Sequence, residues 1–195
     1  MKKIAILVVF VVFVACVLVG CAGGETQLDP LGYYNKIGSE PTGEMLEGFK
    51  QEETAGGGDE IYSMKTELFD EVATLRLSVS PKTNKIYIVK YEIEDSTTTA
   101  PDETIAVIKK IYSTMVSEYG QCTAGTEATD AIDVEFDDVD FQSDFKKKDF
   151  KLYLFSFRDG KKSDYLSVQI ESEKVIICVN RMVYEAGGIN IKSGS

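Results

Sequence analysis

Ala73-Thr74-Leu75-Arg76-Leu77-Ser78-Val79-Ser80-Pro81-Lys82-Thr83-Asn84-Lys85-Ile86-Tyr87-Ile88-Val89-Lys90-Tyr91-Glu92-Ile93 is the stretch that decides the fold. In its first half Ala73, Leu75, Leu77 and Val79 alternate with Arg76 and Ser78. A period of two puts the apolar set on one face, so this half reads as a half-buried strand, beginning near residue 66. Pro81, Lys82, Thr83, Asn84 and Lys85 supply turn chemistry. In the second half Tyr87, Val89, Tyr91 and Ile93 oppose Lys90 and Glu92. The two halves form an antiparallel hairpin.

Downstream the period changes. Thr99, Pro101 and Asp102 mark a helix start: a cap, a proline tolerated in the first turn, and acid at the positive end of the dipole. Ile105, Ile108, Ile111, Tyr112, Met115, Val116 and Tyr119 then recur at spacings of three and four. That is one apolar stripe for burial against a sheet. Gly120 supplies the stop. Ile132, Val134 and Phe136 alternate with Asp133, Glu135 and Asp137, which predicts a strand with an acidic outer face.

Residues 150–158 read as a strand apolar on both faces. Tyr153, Phe155 and Phe157 share one face, and Phe150, Leu152 and Leu154 the other. Two apolar faces predict a central strand between covered layers. Asp159-Gly160 signals a hairpin into Leu166, Val168 and Ile170. A last strand runs through Val175, Ile177 and Val179. Upstream, Met45, Leu46 and Phe49 mark residues 42–49 as a candidate short helix, weakened by Gly43 and Gly48.

The expected fold class is therefore α+β: an antiparallel sheet of about five or six strands, with one long amphipathic helix packed on one face and the candidate second short helix. A helix followed by a meander, occurring twice over residues 42–181, loosely resembles the repeated unit of the β-lactamase inhibitory protein and of small outer-membrane assembly lipoproteins. The likeness rests on element order alone and carries no functional position with it. Cystatin-like and nuclear-transport-factor-like layouts predict similar strings.

The N-terminus says where the protein lives. After Met1-Lys2-Lys3 comes an apolar run of 16 residues, Ile4 to Val19, closed by Leu18-Val19-Gly20-Cys21. A basic head, a greasy core and small residues before a cysteine make an export signal. The run falls short of the roughly 20 residues a spanning helix wants. The tetrad resembles the lipobox of bacterial lipoproteins, which implies lipidation of Cys21 and cleavage just before it. Cys16 fits less well, because Phe13 stands where the pattern wants an aliphatic residue. The resulting division is a signal peptide over 1–20, a lipidated tether over 21–41, one domain over 42–186 and a flexible tail over 187–195. The expected location is the cell envelope, outside the cytoplasm, lipid-anchored to a membrane.

Composition narrows the rest. Cleavage removes Lys2 and Lys3 from the 21 basic residues and leaves 19 against 32 acidic ones, a net charge of −13. So negative a body repels nucleic acid. It favours basic envelope proteins or cations as electrostatic partners. The chain has no histidine, the commonest general base and metal ligand. Cys122 and Cys178 are the cysteines of the mature domain, a candidate disulfide in an oxidising envelope or else two buried thiols. Asp133, Glu135 and Asp137 are weak metal candidates. They resemble the opening of a calcium loop, with Asp144 at its twelfth place, but Asp138 stands where the loop needs glycine. No metal or other cofactor is expected.

No nucleophile–base pair, phosphate loop or cleft-forming carboxylate pair stands out. The function expected is that of a non-catalytic protein-binding or accessory module. The alternatives are a small-ligand carrier with a pocket between sheet and helix, and a carboxylate-dependent hydrolase.

Overall fold

The computed structural model describes residues 26–52, 58–95, 101–120, 123–124, 139–147, 151–159, 161–170 and 174–189. A 3-10 turn, Tyr33–Lys36, precedes β1 (Lys50–Glu52), β2 (Glu60–Leu68), β3 (Glu71–Ser80) and β4 (Lys85–Asp95). Helix α1 (Pro101–Tyr119) leads to β5 (Thr123–Ala124) and helix α2 (Val139–Lys147). The meander β6 (Lys151–Asp159), β7 (Lys162–Ile170) and β8 (Val175–Val183) completes the order.

The expected α+β division with five or six strands is overturned. Among the described residues eight strands form one antiparallel sheet, in the order β1-β2-β3-β4-β8-β7-β6-β5, and the fold is largely β. Each half of the chain lays down its strands toward the middle, and β4 pairs with β8 there, Tyr91 opposite Val179. Two strands escape the sequence pattern because they are only three and two residues long. The β2 strand escapes for another reason. Its turn into β3 is Phe69-Asp70, with φ of 56° and 70°. Tight hairpins want such left-handed residues, but usually announce them with Asn or Gly. Residues 66–68 consequently belong to β2 and not to β3.

One face of the sheet carries the core. Leu75, Tyr91, Val179, Leu166 and Phe155 stand in register across five strands and are all buried. Ile108, Ile111 and Met115 of α1 fill the space above them, with no exposed surface left. Gly120, at φ 84°, ends the helix by returning its N–H to the Val116 carbonyl at 2.8 Å. No described helix is long and apolar enough to cross a membrane.

Four local expectations change. Residues 42–49 make turns and no helix, closing with Gly48 at φ 83°. Even so, Met45, Leu46 and Phe49 pack on the core. The expected tether is folded from Thr26 onward: Leu28, Asp29 and Tyr34 are buried. The expected tail is pinned as far as Gly187, where a Cβ would meet the Tyr87 ring at 2.7 Å, and the Gly187 carbonyl accepts the Ser80 hydroxyl at 3.0 Å. The β6 strand is not central. It pairs fully with β7 but over two residues with β5, and Leu152 on its far face is 61% exposed. The strand expected over residues 132–136 lies outside the described residues.

Candidate functional site

Of the residues singled out by sequence, Cys21, Cys122, Asp133, Glu135 and Asp137 lie outside the described residues. Asp144 sits in α2, where its carboxylate accepts the Tyr153 hydroxyl at 2.6 Å and ties the helix to β6. Among the described residues no group of three His, Cys, Asp or Glu side chains could hold a metal ion.

Cys178 is a free thiol on β8, half-buried on the sheet face opposite α1. Burial pushes the thiol up from its ordinary value, and its Sγ lies 3.9 Å from Glu92 Oε2. Its candidate disulfide partner, Cys122, lies outside the described residues.

No described helix or strand packs on the face carrying Cys178, although Ser156 and Ser163 at its β6–β7 end are buried. Arg76 lies at its centre, 2.5 Å from Glu92 and 3.0 Å from Glu52, and Lys90 reaches Glu92 at 2.9 Å. The register of β3 on β4 puts Arg76 beside Lys90, and the shared carboxylate of Glu92 offsets that like-charge contact. Burial alone would raise the Glu92 carboxyl. Lys90 and Arg76 overcome it and hold the group below its usual range. Toward the β6–β7 hairpin, Tyr184 bridges Tyr165 at 2.6 Å and Ser163 at 3.1 Å, a string of three hydroxyls. Ile61, Ile88, Ile176, Met182 and Leu154 are half-buried among these polar groups.

A second cluster lies under the N-terminal segment, on the core side. Asp29 is buried and accepts three hydrogen bonds: from the Tyr33 N–H at 2.9 Å, the Tyr34 N–H at 2.5 Å and the Tyr91 hydroxyl at 2.7 Å. Arg181 lies 4.6 Å over the Tyr34 ring and pairs with buried Asp164 at 2.7 Å. Its Nη2 donates to the Tyr119 hydroxyl at 3.0 Å. Burial first, then the Tyr119 and Asp164 charges, pushes the Tyr34 phenol far up. This arrangement clamps strap, helix and sheet together. Sequence reading missed Asp29 because Pro30 and the neighbouring glycines looked like a linker. The density of Tyr33, Tyr34 and Phe49 was the available sign, and Tyr33 and Phe49 do meet edge to face at 5.5 Å.

Two hollows flank Gln27. One of about 470 Å³ is lined by Ser113, Thr114, Ser117 and Glu118 of α1. The other, of about 290 Å³, is lined by Pro30, Glu67, Leu68, Phe69, Asp70 and Lys110. Both are open to solvent, unlike an enclosed ligand chamber. Set against protein-family models, curated proteins and solved structures, the chain matches none.

Proposed function

We propose that this chain is an extracytoplasmic lipoprotein, acylated at Cys21, whose folded body is a non-catalytic protein-binding or accessory module. The Leu18-Val19-Gly20-Cys21 tetrad behind a basic head and apolar run supports the anchor. The sheet face on which no described helix or strand packs supports the binding role, and it is the observation that carries this reading. Six strands of nine to eleven residues at ordinary spacings offer a face of about 800 Å². That matches what each partner contributes to a standard protein interface, about 800 Å².

The chemistry of the face selects the partner class. Lys50, Lys65, Arg76, Lys90 and Lys174 stand there against Glu52, Glu67, Glu92 and Glu94, so charge nearly balances in an otherwise strongly acidic protein. A partner of mixed charge suits it, in place of the basic partner that net charge alone favours. A hot spot would form on the half-buried apolar residues, Ile88 and Met182 in particular, which pair across β4 and β8.

Acyl labelling tests the anchor: label present on wild type and lost in Cys21→Ala is the expected result. Affinity capture from solubilised envelopes tests the face. An envelope protein held by wild type and released by Ile88→Arg, with the variant's circular dichroism unchanged, supports the reading. An identical captured set for both counts against it.

A further inference from the structure

Resting on that reading of Cys21, we infer that the α1 side of the domain, around Gln27 and Leu31, lies against the lipid headgroup layer, and that the open sheet face points away from the membrane. The argument is one of reach. Cys21 and Thr26 are five Cα steps apart, so the chain between them spans at most about 17 Å. From Thr26 the chain is already part of the folded body: it bridges to Asp29, and Leu28 is wholly buried.

Gln27 borders hollows lined by Ser113, Ser117 and Lys110 of α1, so the chain enters on the helix layer. The open face lies beyond a helix about 10 Å thick and a sheet with side chains of similar depth. Turning that face onto the bilayer would require the tether to cross about 20 Å of protein and also round its edge. The available length is too short. Two further features suit a headgroup contact at this place. Leu31, next to Pro30 at the rim of one hollow, is an exposed apolar side chain. Ser113, Thr114 and Ser117 beside Gln27 are uncharged and compatible with headgroups, with Glu118 the one acid lining the same hollow. Without this contact, the repulsion between an acidic body and anionic lipid would hold the domain off the surface.

The test uses the acylated full-length protein, extracted from membranes and added to preformed phosphatidylcholine vesicles carrying a headgroup spin label. With Cys122→Ser and Cys178→Ser in place, a fluorophore is attached to Ser117→Cys on α1 or to Ser78→Cys on the open face. The expected result is quenching several-fold stronger at position 117 than at 78. Equal quenching, or stronger quenching at 78, in protein that floats with the vesicles overturns the orientation while leaving the anchor intact. Protein that fails to float removes the Cys21 reading, and the orientation with it.

Discussion

Tyr91 donates its hydroxyl to Asp29 across 2.7 Å, joining the centre of the sheet to a residue 62 positions earlier in the chain. This contact turns the N-terminal segment into a strap across the core. Removing Asp29 strips three donors of their acceptor at once. Asp29→Ala should cost about 3 kcal/mol, since bonds to a charged group are worth about 1.5–3 kcal/mol each and do not add within one network. Tyr91→Phe breaks a single bond and should cost about 1–2 kcal/mol. Urea midpoints measure both, and an Asp29→Ala midpoint equal to wild type would refute the strap.

The buried phenols make the fold sensitive to alkali. Burial, then Asp29, holds Tyr91 well above the ordinary range; burial, then Asp59, does the same for Tyr87; burial, then Asp164, for Tyr119. These groups stay protonated in the folded chain, whereas the unfolded chain ionises near pH 10. Their contribution is therefore complete below about pH 10 and fades as pH rises from there toward the folded values. Urea midpoints should stay level to about pH 9.5 and then drop, with phenolate absorbance appearing together with unfolding. Full tyrosine ionisation near pH 10 in a chain that is still folded would contradict this. Glu92 works in the opposite sense at the acid end. Burial alone would raise its carboxyl, but Lys90 and Arg76 hold it lowered, so its share is present above about pH 4.3 and lost as pH falls through the lower folded value.

Arg181 and Asp164 should behave as a coupled pair. Losing one partner leaves the other charge buried, so Asp164→Ala or Arg181→Met should each cost about 3–5 kcal/mol. The combination Asp164→Leu with Arg181→Met should cost much less than the two single losses together, because no lone charge remains. A double-mutant cycle in urea measures the coupling, and simple additivity would argue against it.

The two faces of β6 should respond very differently. Phe155 is buried against Tyr112, ring centres 5.7 Å apart, and Phe155→Ala should cost about 3–5 kcal/mol. Leu152 is solvent-facing, and Leu152→Lys should change stability by no more than about 0.5 kcal/mol. A large loss for Leu152→Lys would restore the central-strand reading that the residue pattern alone favours.

Thiol counting settles the cysteines. Without reductant, denatured residues 22–195 should show two reactive thiols, Cys122 and Cys178. In the native state Cys178 should react slowly, because burial both shields it and disfavours its thiolate. A count of zero would mean that the two cysteines are bonded.

Much of the chain can be read locally. The hairpin of β3 and β4, the pairing of β6 with β7, the stripe of α1 and its Gly120 stop all follow from short-range patterns, because side-chain period and turn chemistry act within a few residues. Phe69-Asp70 resisted such reading because its left-handed backbone is imposed by the pairing of β2 with β3 and not by its own residues. Residues 26–34 resisted it too. Nothing in their spacing tells a linker from a strap whose one carboxylate meets a tyrosine on a distant strand.

By itself, the sequence determined a basic head and an apolar run closed by Leu18-Val19-Gly20-Cys21, a strongly acidic chain without histidine, and an alternation that commits many of its apolar residues to sheet. Only the tertiary structure decided that β4 and β8 meet at the centre, that one face of the eight strands carries the core while no described helix or strand packs on the other, and that the segment from Thr26 onward belongs to the folded body. Those outcomes depend on strand order and long-range pairing, which local periodicity does not encode.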